Sequence, residues 1–252
     1  MFKRGDWALL FDESGYKTVA RVGSGEIQTV RGYVDTEQLV GAPYGVTILS
    51  SIGVRLTALP ATIFDILEKF KIKAQVIYPK DAIYIIKASG IGPGSKVAEV
   101  GTGSGFLTAI LAWYVRPWGV VYSFEKRLDH IKVAIRNLKM AGVEQYVELQ
   151  LRDVATSGFG LRDVDAVVLD MGDPWNVVGH AVSSLKPGGR LVIFSTTVEH
   201  MQKSLSALRR PKFFDISIEE AILRKWKTSL GELRPETFDV IHTGWVISAR
   251  RG

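Results

Sequence analysis

Beyond about residue 91 the chain alternates between short apolar runs and longer stretches in which apolar side chains return every three or four positions. Residues 97–100, 120–124, 147–151, 165–170 and 190–194 have the length and β-branched content of buried strands. Between them, Leu107, Ile110, Leu111 and Tyr114 share one face of a helix over 104–115, and Leu128, Ile131, Ile135 and Leu138 form a second stripe that reads as core. Residues 175–185 read as a further helix, and Lys186-Pro-Gly-Gly189 turns the chain into the fifth strand. Repeated strand–helix alternation implies a parallel, doubly wound α/β sheet with ligands at the carboxyl edge of its strands.

The two ends follow other patterns. Residues 7–11, 16–22, 26–30 and 46–49 are strand-like runs separated by Gly-, Pro- and Ser-containing turns, the spacing of a small antiparallel sheet or barrel. A helix over 62–70, with Ile63, Ile66, Leu67 and Phe70 on one face, follows. Gln75-Val-Ile-Tyr78-Pro-Lys80-Asp81 then leads into an apolar helix over 82–89, with the proline fixing the bend and Asp81 placed as a helix cap. Residues 213–218, 221–228 and 240–249 look like strands that extend the sheet in antiparallel fashion. The expected organisation is a β-rich domain over 1–60, a helical linker and substrate loop over 61–90, and a catalytic domain over 91–252.

Composition narrows the class. With 46% hydrophobic and 23% charged residues, and no apolar run of about eighteen residues, the chain reads as an ordinary globular protein. The first residues, Met-Phe-Lys-Arg-Gly-Asp, carry no signal-peptide core, so the expected location is cytoplasmic. Zero cysteines exclude a disulfide scaffold, a thiolate nucleophile and a cysteine zinc site, and four scattered histidines leave little for a metal centre, so no metal is expected. A net charge of +6 favours a polyanionic partner.

The chemistry concentrates at the first catalytic-domain strand. Glu99-x-Gly101-x-Gly103-Ser104-Gly105 follows it and opens a helix, so backbone amides and a helix N-terminus face a ligand. In the dinucleotide fingerprint a third glycine stands where this chain has Phe106, which argues against a pyrophosphate. Twenty residues after Gly105, Glu125 ends the second strand where ribose hydroxyls would lie. This set resembles the class I S-adenosylmethionine-dependent methyltransferases. Methyl transfer from a sulfonium is a displacement, so alignment in a dry pocket matters more than a strong base. Asp153, after strand three, is placed to accept from an adenine amino group. Asp170, after strand four, is placed to hold an exocyclic amine so that a ring nitrogen such as adenine N1 faces the methyl group. Asp173 is an equal candidate for that proximal carboxylate, with helix capping as its structural alternative.

Four stretches carry a narrower resemblance. Gln75-Val-Ile-Tyr-Pro-Lys-Asp81, Glu99-Val-Gly-Thr-Gly-Ser-Gly105, Asp170-Met-Gly-Asp-Pro-Trp175 and Arg234-Pro-Glu-Thr-Phe-Asp-Val-Ile-His242-Thr-Gly244 resemble the tRNA (adenine-58-N1)-methyltransferase family over essentially the whole chain. The resemblance implies a homotetramer that methylates N1 of adenosine 58 in the tRNA T-loop, with adenosine 57 a second target in archaeal members. It implies cofactor contacts from Ser104, Gly105, Phe106, Leu107, Glu125, His130, Asp153 and Asp170, with Tyr78 and His242 lining the base pocket. Gly172 departs from the proline or larger residue of many members, and the absence of cysteine precludes intersubunit disulfides. A flipped target adenosine would find Tyr78 or Trp175 to stack on. Arg209-Arg210-Pro-Lys212, Arg224-Lys225-Trp226-Lys227 and Arg250-Arg251 are candidate backbone grips. Protein-L-isoaspartate O-methyltransferases and corrinoid-precursor methyltransferases share the glycine and acid stretches but explain neither the N-terminal module nor the His242-Thr-Gly segment. A non-catalytic RNA-binding subunit would have lost the cofactor glycines that are present here.

Overall fold

The structure, a computed structural model, describes residues 1–209 and 213–252. They fall into two compact units, Met1–Phe70 and Lys71–Gly252. In the first, β1 (Trp7–Phe11), β2 (Lys17–Arg21), β3 (Glu26–Thr29), β4 (Gly32–Asp35), β5 (Thr47–Leu49) and β6 (Arg55–Pro60) precede the short helix α1 (Ile63–Leu67). They form an antiparallel sheet in the order β2-β1-β6-β5 and a separate β3-β4 hairpin. Strands β4 and β6 go beyond the sequence reading. Each puts only one or two apolar side chains inward, Val34 from β4 and Leu56 with Ala58 from β6, too faint an alternation to stand out. Leu10, Leu39 and Leu56 are fully buried at the centre of this unit. Thr62 and Asp65 close a reciprocal capping box at the start of α1.

The second unit runs α2 (Pro79–Ser89), β7 (Lys96–Val100), α3 (Phe106–Val115), β8 (Val120–Glu125), α4 (Leu128–Ala141), β9 (Val147–Leu151), α5 (Val154–Ser157), β10 (Val164–Leu169), α6 (Val178–Ser184), β11 (Leu185–Ser195), α7 (Val198–Leu208), β12 (Phe213–Glu219) and β13 (Trp245–Arg251). The sheet order is β12-β13-β11-β10-β7-β8-β9. Strands β11, β10, β7, β8 and β9 are mutually parallel, while β13 runs antiparallel to both β11 and β12. This is the doubly wound, mostly parallel α/β sheet the periodicity implies. From β7 the chain proceeds outward through β8 and β9, then returns to β10 on the other side of β7. The order therefore reverses between β7 and β10, where a crevice opens above the strand ends.

Several local expectations are corrected. Ile131 and Leu138 of α4 are buried, but Leu128 and Ile135 are 53% exposed, so only half of that stripe is core. Residues 221–228 form no strand; their one ladder contact is a bridge between Trp226 and Pro235. The strand expected over 240–249 is β13, shifted towards the C-terminus. The helix over 175–185 is a 3-10 turn, Pro174–Asn176, followed by α6. Asp81 does not cap α2: Tyr78 holds the cap position, and Asp81 lies buried in the first turn.

Candidate active site

The glycine turn is shaped first by its protein neighbours. Gly101 ends β7 with φ +99°, and a Cβ there would overlap the carbonyl oxygen of Asp170, at the end of the adjacent strand β10. The Asp170 amide in turn donates to the Val100 carbonyl at 2.9 Å. Only glycine lets these two strand ends converge at the reversal point. Gly105, with φ +78°, begins α3, and a Cβ there would stand 3.2 Å from Ala134 Cβ on α4.

Above this turn lies a cavity of about 540 Å³. Of the residues expected at the site, Gly101, Gly103, Glu125, His130, Asp153 and Asp170 line it. Ser104, Gly105, Phe106 and Leu107 form the turn and first helical turn beneath and are not among its lining residues. Tyr78 and His242 are not among them either. The Tyr78 ring is half exposed. His242 Nδ1 lies 2.7 Å from Glu220 Oε1, with its ring centroid 4.4 Å from that of Trp245.

Glu125 is held from two sides. Its Oε1 accepts from the Arg127 amide and its Oε2 from the Gly103 amide, both at 3.0 Å, and Oε2 lies 3.3 Å from His130 Nδ1. The loop before α4 and the glycine turn thus fix the carboxylate at the cavity wall. Asp153 accepts from the Ala155 amide at 3.0 Å, capping α5 while facing the cavity. Burial pushes the Asp170 carboxyl up to about 7. Asp173 also lines the cavity; it stands at the cap position of the 3-10 turn, but its side chain makes no capping bond.

Residues beyond the expected site set complete the walls. Ala74 and Gln75 come from a strap bound to the glycine turn: Ser104 Oγ accepts from the Lys73 and Ala74 amides at 2.8 and 3.3 Å. Buried Asn137 joins strap and turn, donating to the Lys71 and Ser104 carbonyls and accepting from the Lys71 amide. Thr196, Thr197 and His200 enter from the start of α7. His200 Nε2 lies 3.2 Å from the Met171 carbonyl, which can only accept, so Nε2 donates there, and Nδ1 lies 2.9 Å from the Ser195 hydroxyl. That pair braces the loop after Asp170. The signal in the sequence was positional: His200 follows the fifth strand at the same carboxyl edge as the other site residues.

Trp175, the alternative stacking residue, is not among the cavity-lining residues; its ring packs on His200 at 5.3 Å, with Lys203 Nζ 4.9 Å from its centroid. Arg224 and Lys225 are exposed. The cluster over 209–212 lies, apart from Arg209, outside the described residues. Among the described residues, no group of three or more His, Cys, Asp or Glu side chains could hold a metal ion, and no helix is long and apolar enough to cross a membrane.

Residues 68–243 match the protein family described as the tRNA methyltransferase complex GCD14 subunit. The chain is 32% identical to the tRNA (adenine(57)-N(1)/adenine(58)-N(1))-methyltransferase TrmI of Methanocaldococcus jannaschii, over 97% of this chain and 94% of that one. It is 30% identical to the tRNA (adenine(58)-N(1))-methyltransferase TrmI of Thermus thermophilus, over 88% and 87%. Among solved structures it is similar to a SAM-dependent O-methyltransferase from Thermotoga maritima, with TM-score 0.89 and 31% identity over 99% and 94% of the two chains. It is also similar to the tRNA (m1A58) methyltransferase TrmI from Aquifex aeolicus, with TM-score 0.82 and 26% identity over 99% and 98%.

Proposed function

Because the chain belongs to the tRNA (adenine-58-N1)-methyltransferase family, we infer that it transfers a methyl group from S-adenosylmethionine to N1 of adenosine 58 in the tRNA T-loop, with adenosine 57 as a second target. The observation that carries this reading is the meeting of Gly101 and Asp170 at the sheet's reversal point, opening onto one cavity that also holds Glu125 and Asp153. The donor set fits the methyl donor: a fixed carboxylate at the end of β8 suits ribose hydroxyls, and a second after β9 suits an adenine amino group. S-adenosylmethionine supplies a methyl group activated by its sulfonium. Glu125 orients the ribose, Asp153 accepts from the adenine amine, and Ser104, Gly105, Phe106 and Leu107 set the floor beneath.

Asp170, which follows β10 on the other side of β7 from Glu125's strand β8, takes the target. Its carboxylate accepts from the exocyclic amine of the flipped adenine, which leaves the N1 lone pair directed at the methyl group. Tyr78 and His242 take the faces and edge of that base, and His130 steadies Glu125. As in the family it resembles, the chain is proposed to assemble as a homotetramer, which sedimentation of the purified protein tests.

The deciding experiment is transfer of labelled methyl from S-adenosylmethionine to an unmodified tRNA transcript, with nucleoside analysis and mapping of the product. The expected product is 1-methyladenosine in the T-loop, and Asp170→Ala is expected to lower turnover by at least a hundredfold while the melting curve stays cooperative. An unlabelled tRNA beside a labelled hydroxyl or carboxylate substrate would replace this reading with the O-methyltransferase one. A wild-type rate in Asp170→Ala removes that residue from the target end.

A further inference from the structure

Two of the motifs, Tyr78-Pro-Lys80-Asp81 and His242-Thr-Gly244, lie 162 residues apart when counted from Asp81 to Thr243. Their middle residues take no part in the cavity, yet the structure closes them into one polar cluster. The Asp81 side chain is fully buried and that of Lys80 is 9% exposed. Lys80 Nζ donates to Asp81 Oδ1 at 2.9 Å, to Thr243 Oγ1 at 2.5 Å and to the Ala221 carbonyl at 2.7 Å. The Thr243 hydroxyl donates to Asp81 Oδ2 at 2.6 Å. All three ammonium hydrogens and both carboxylate oxygens are therefore engaged.

The cluster sits where the fold needs it. Between β12 and β13, residues 220–244 form no helix or strand and share a single bridge, Trp226 with Pro235. Ala221 and Thr243 are the two legs of that excursion at its root, and the Lys80 ammonium grips both. On the other side, Tyr78 has no side-chain cap bond of its own, while the Asp81 and Ala82 amides donate to its carbonyl at 3.0 Å each. A buried ion pair contributes little net stability but specifies register strongly, because removing one member leaves an uncompensated group in the interior.

We propose that Lys80, Asp81 and Thr243 form a latch that holds the neighbouring Tyr78 and His242 in fixed relation, and that they act as positioning residues for the target nucleotide rather than for the methyl donor. This rests on the assignment of Tyr78 and His242 to the base pocket. None of the three lines the cavity, and cofactor binding is therefore expected to change little when the latch is broken.

The test compares Thr243→Val, which keeps the shape and removes the hydroxyl, with Thr243→Ser, which restores it. Steady-state kinetics against tRNA, calorimetric binding of S-adenosylmethionine, melting and hydrogen–deuterium exchange over 78–82 and 240–245 are read on the full chain. Thr243→Val is expected to lower kcat/KM for tRNA by about tenfold or more, to leave the S-adenosylmethionine Kd within about twofold, and to speed exchange in both segments. Thr243→Ser returns all three towards wild type. Wild-type tRNA kinetics with unchanged exchange in Thr243→Val overturn the latch, as does an equal fall in tRNA and S-adenosylmethionine parameters with a lowered melting point. A wild-type chain inactive on tRNA counts against the function itself; exchange in Thr243→Val then still decides whether the two segments are latched.

Discussion

Glu99 is the residue most at odds with its surroundings. It lies fully buried in β7; Oε2 accepts from Ser123 at 2.7 Å, and among the described residues Oε1 has no hydrogen-bond partner. Burial pushes the carboxyl up to about 7, nearby Thr108 and Ser123 hydroxyls pull it back, and the Asp170 and Glu125 charges push it further up. The Thr108 hydroxyl exerts its pull without meeting hydrogen-bond geometry. A carboxyl raised on folding keeps its proton longer in the folded chain than in the unfolded one. Its stability contribution is then complete at acid pH and is lost as pH climbs from about 4 to about 7. The penalty at pH 8 is on the order of 3 kcal/mol. Glu99→Gln is expected to melt with a smaller loss between pH 5 and pH 8 than wild type, the remaining slope belonging to Asp170. Parallel pH slopes in thermal melts of the two proteins would show that Glu99 stays ionised. The motif made Glu99 visible in the sequence as part of the glycine stretch, but its isolation depends on Ser123 and Asp170, which no local pattern joins to it.

At the scale of elements, the turn from β7 into α3 does two jobs with one geometry. Gly101 admits the neighbouring strand and Gly105 admits α4, so the spacing that looked made for a ligand is equally made for chain packing. Gly105→Ala would force a left-handed φ on an L-residue and press on Ala134. Urea titration should show a loss of about 1–3 kcal/mol, together with weaker S-adenosylmethionine binding as α4 and the Glu125 loop shift. Gly172→Ala is the control: nothing lies within 4 Å of the added methyl, and stability should not change. If both variants melt alike, the packing account of Gly105 fails. The central strands were legible because strands buried on both faces read as unbroken apolar runs. Helix α7 was not, since only Ser204 and Leu208 of its residues are buried and its exposed face is polar. The opposite error arose over 221–228, where Ile222 and Leu223 look like a strand but remain exposed beside no ladder. The site shows the same division. Residues at strand ends followed from the carboxyl-edge rule, whereas Gln75 reaches the cavity through a strap that the rule does not cover, and Thr197 and His200, though they follow β11, stand at the start of a helix whose pattern was too faint to mark them.

For the whole molecule, charge separates two tasks. The chain carries 32 basic and 26 acidic residues, whereas the cavity wall mixes Glu125, Asp153, Asp170 and Asp173 with Lys126, Arg127 and Arg152. A cavity wall of nearly balanced charge leaves a small ligand to be held by short-range contacts, and the net positive charge of the chain favours a nucleic acid. tRNA affinity should therefore fall by about a hundredfold or more between 50 and 200 mM salt, while S-adenosylmethionine affinity changes by less than about threefold. Filter binding and calorimetry across that range check both, and a flat tRNA series would rule out phosphate contacts as its main source. The order of the sheet has a consequence during synthesis. Strand β13 separates β12 from β11, so the edge of β11 stays bare until residues 245–250 are available to pair with it. A nascent chain stalled within 220–244 carries every cofactor motif and still lacks the strand that closes its sheet. A chain stalled there exposes an open, sticky sheet edge for chaperones and proteases to find.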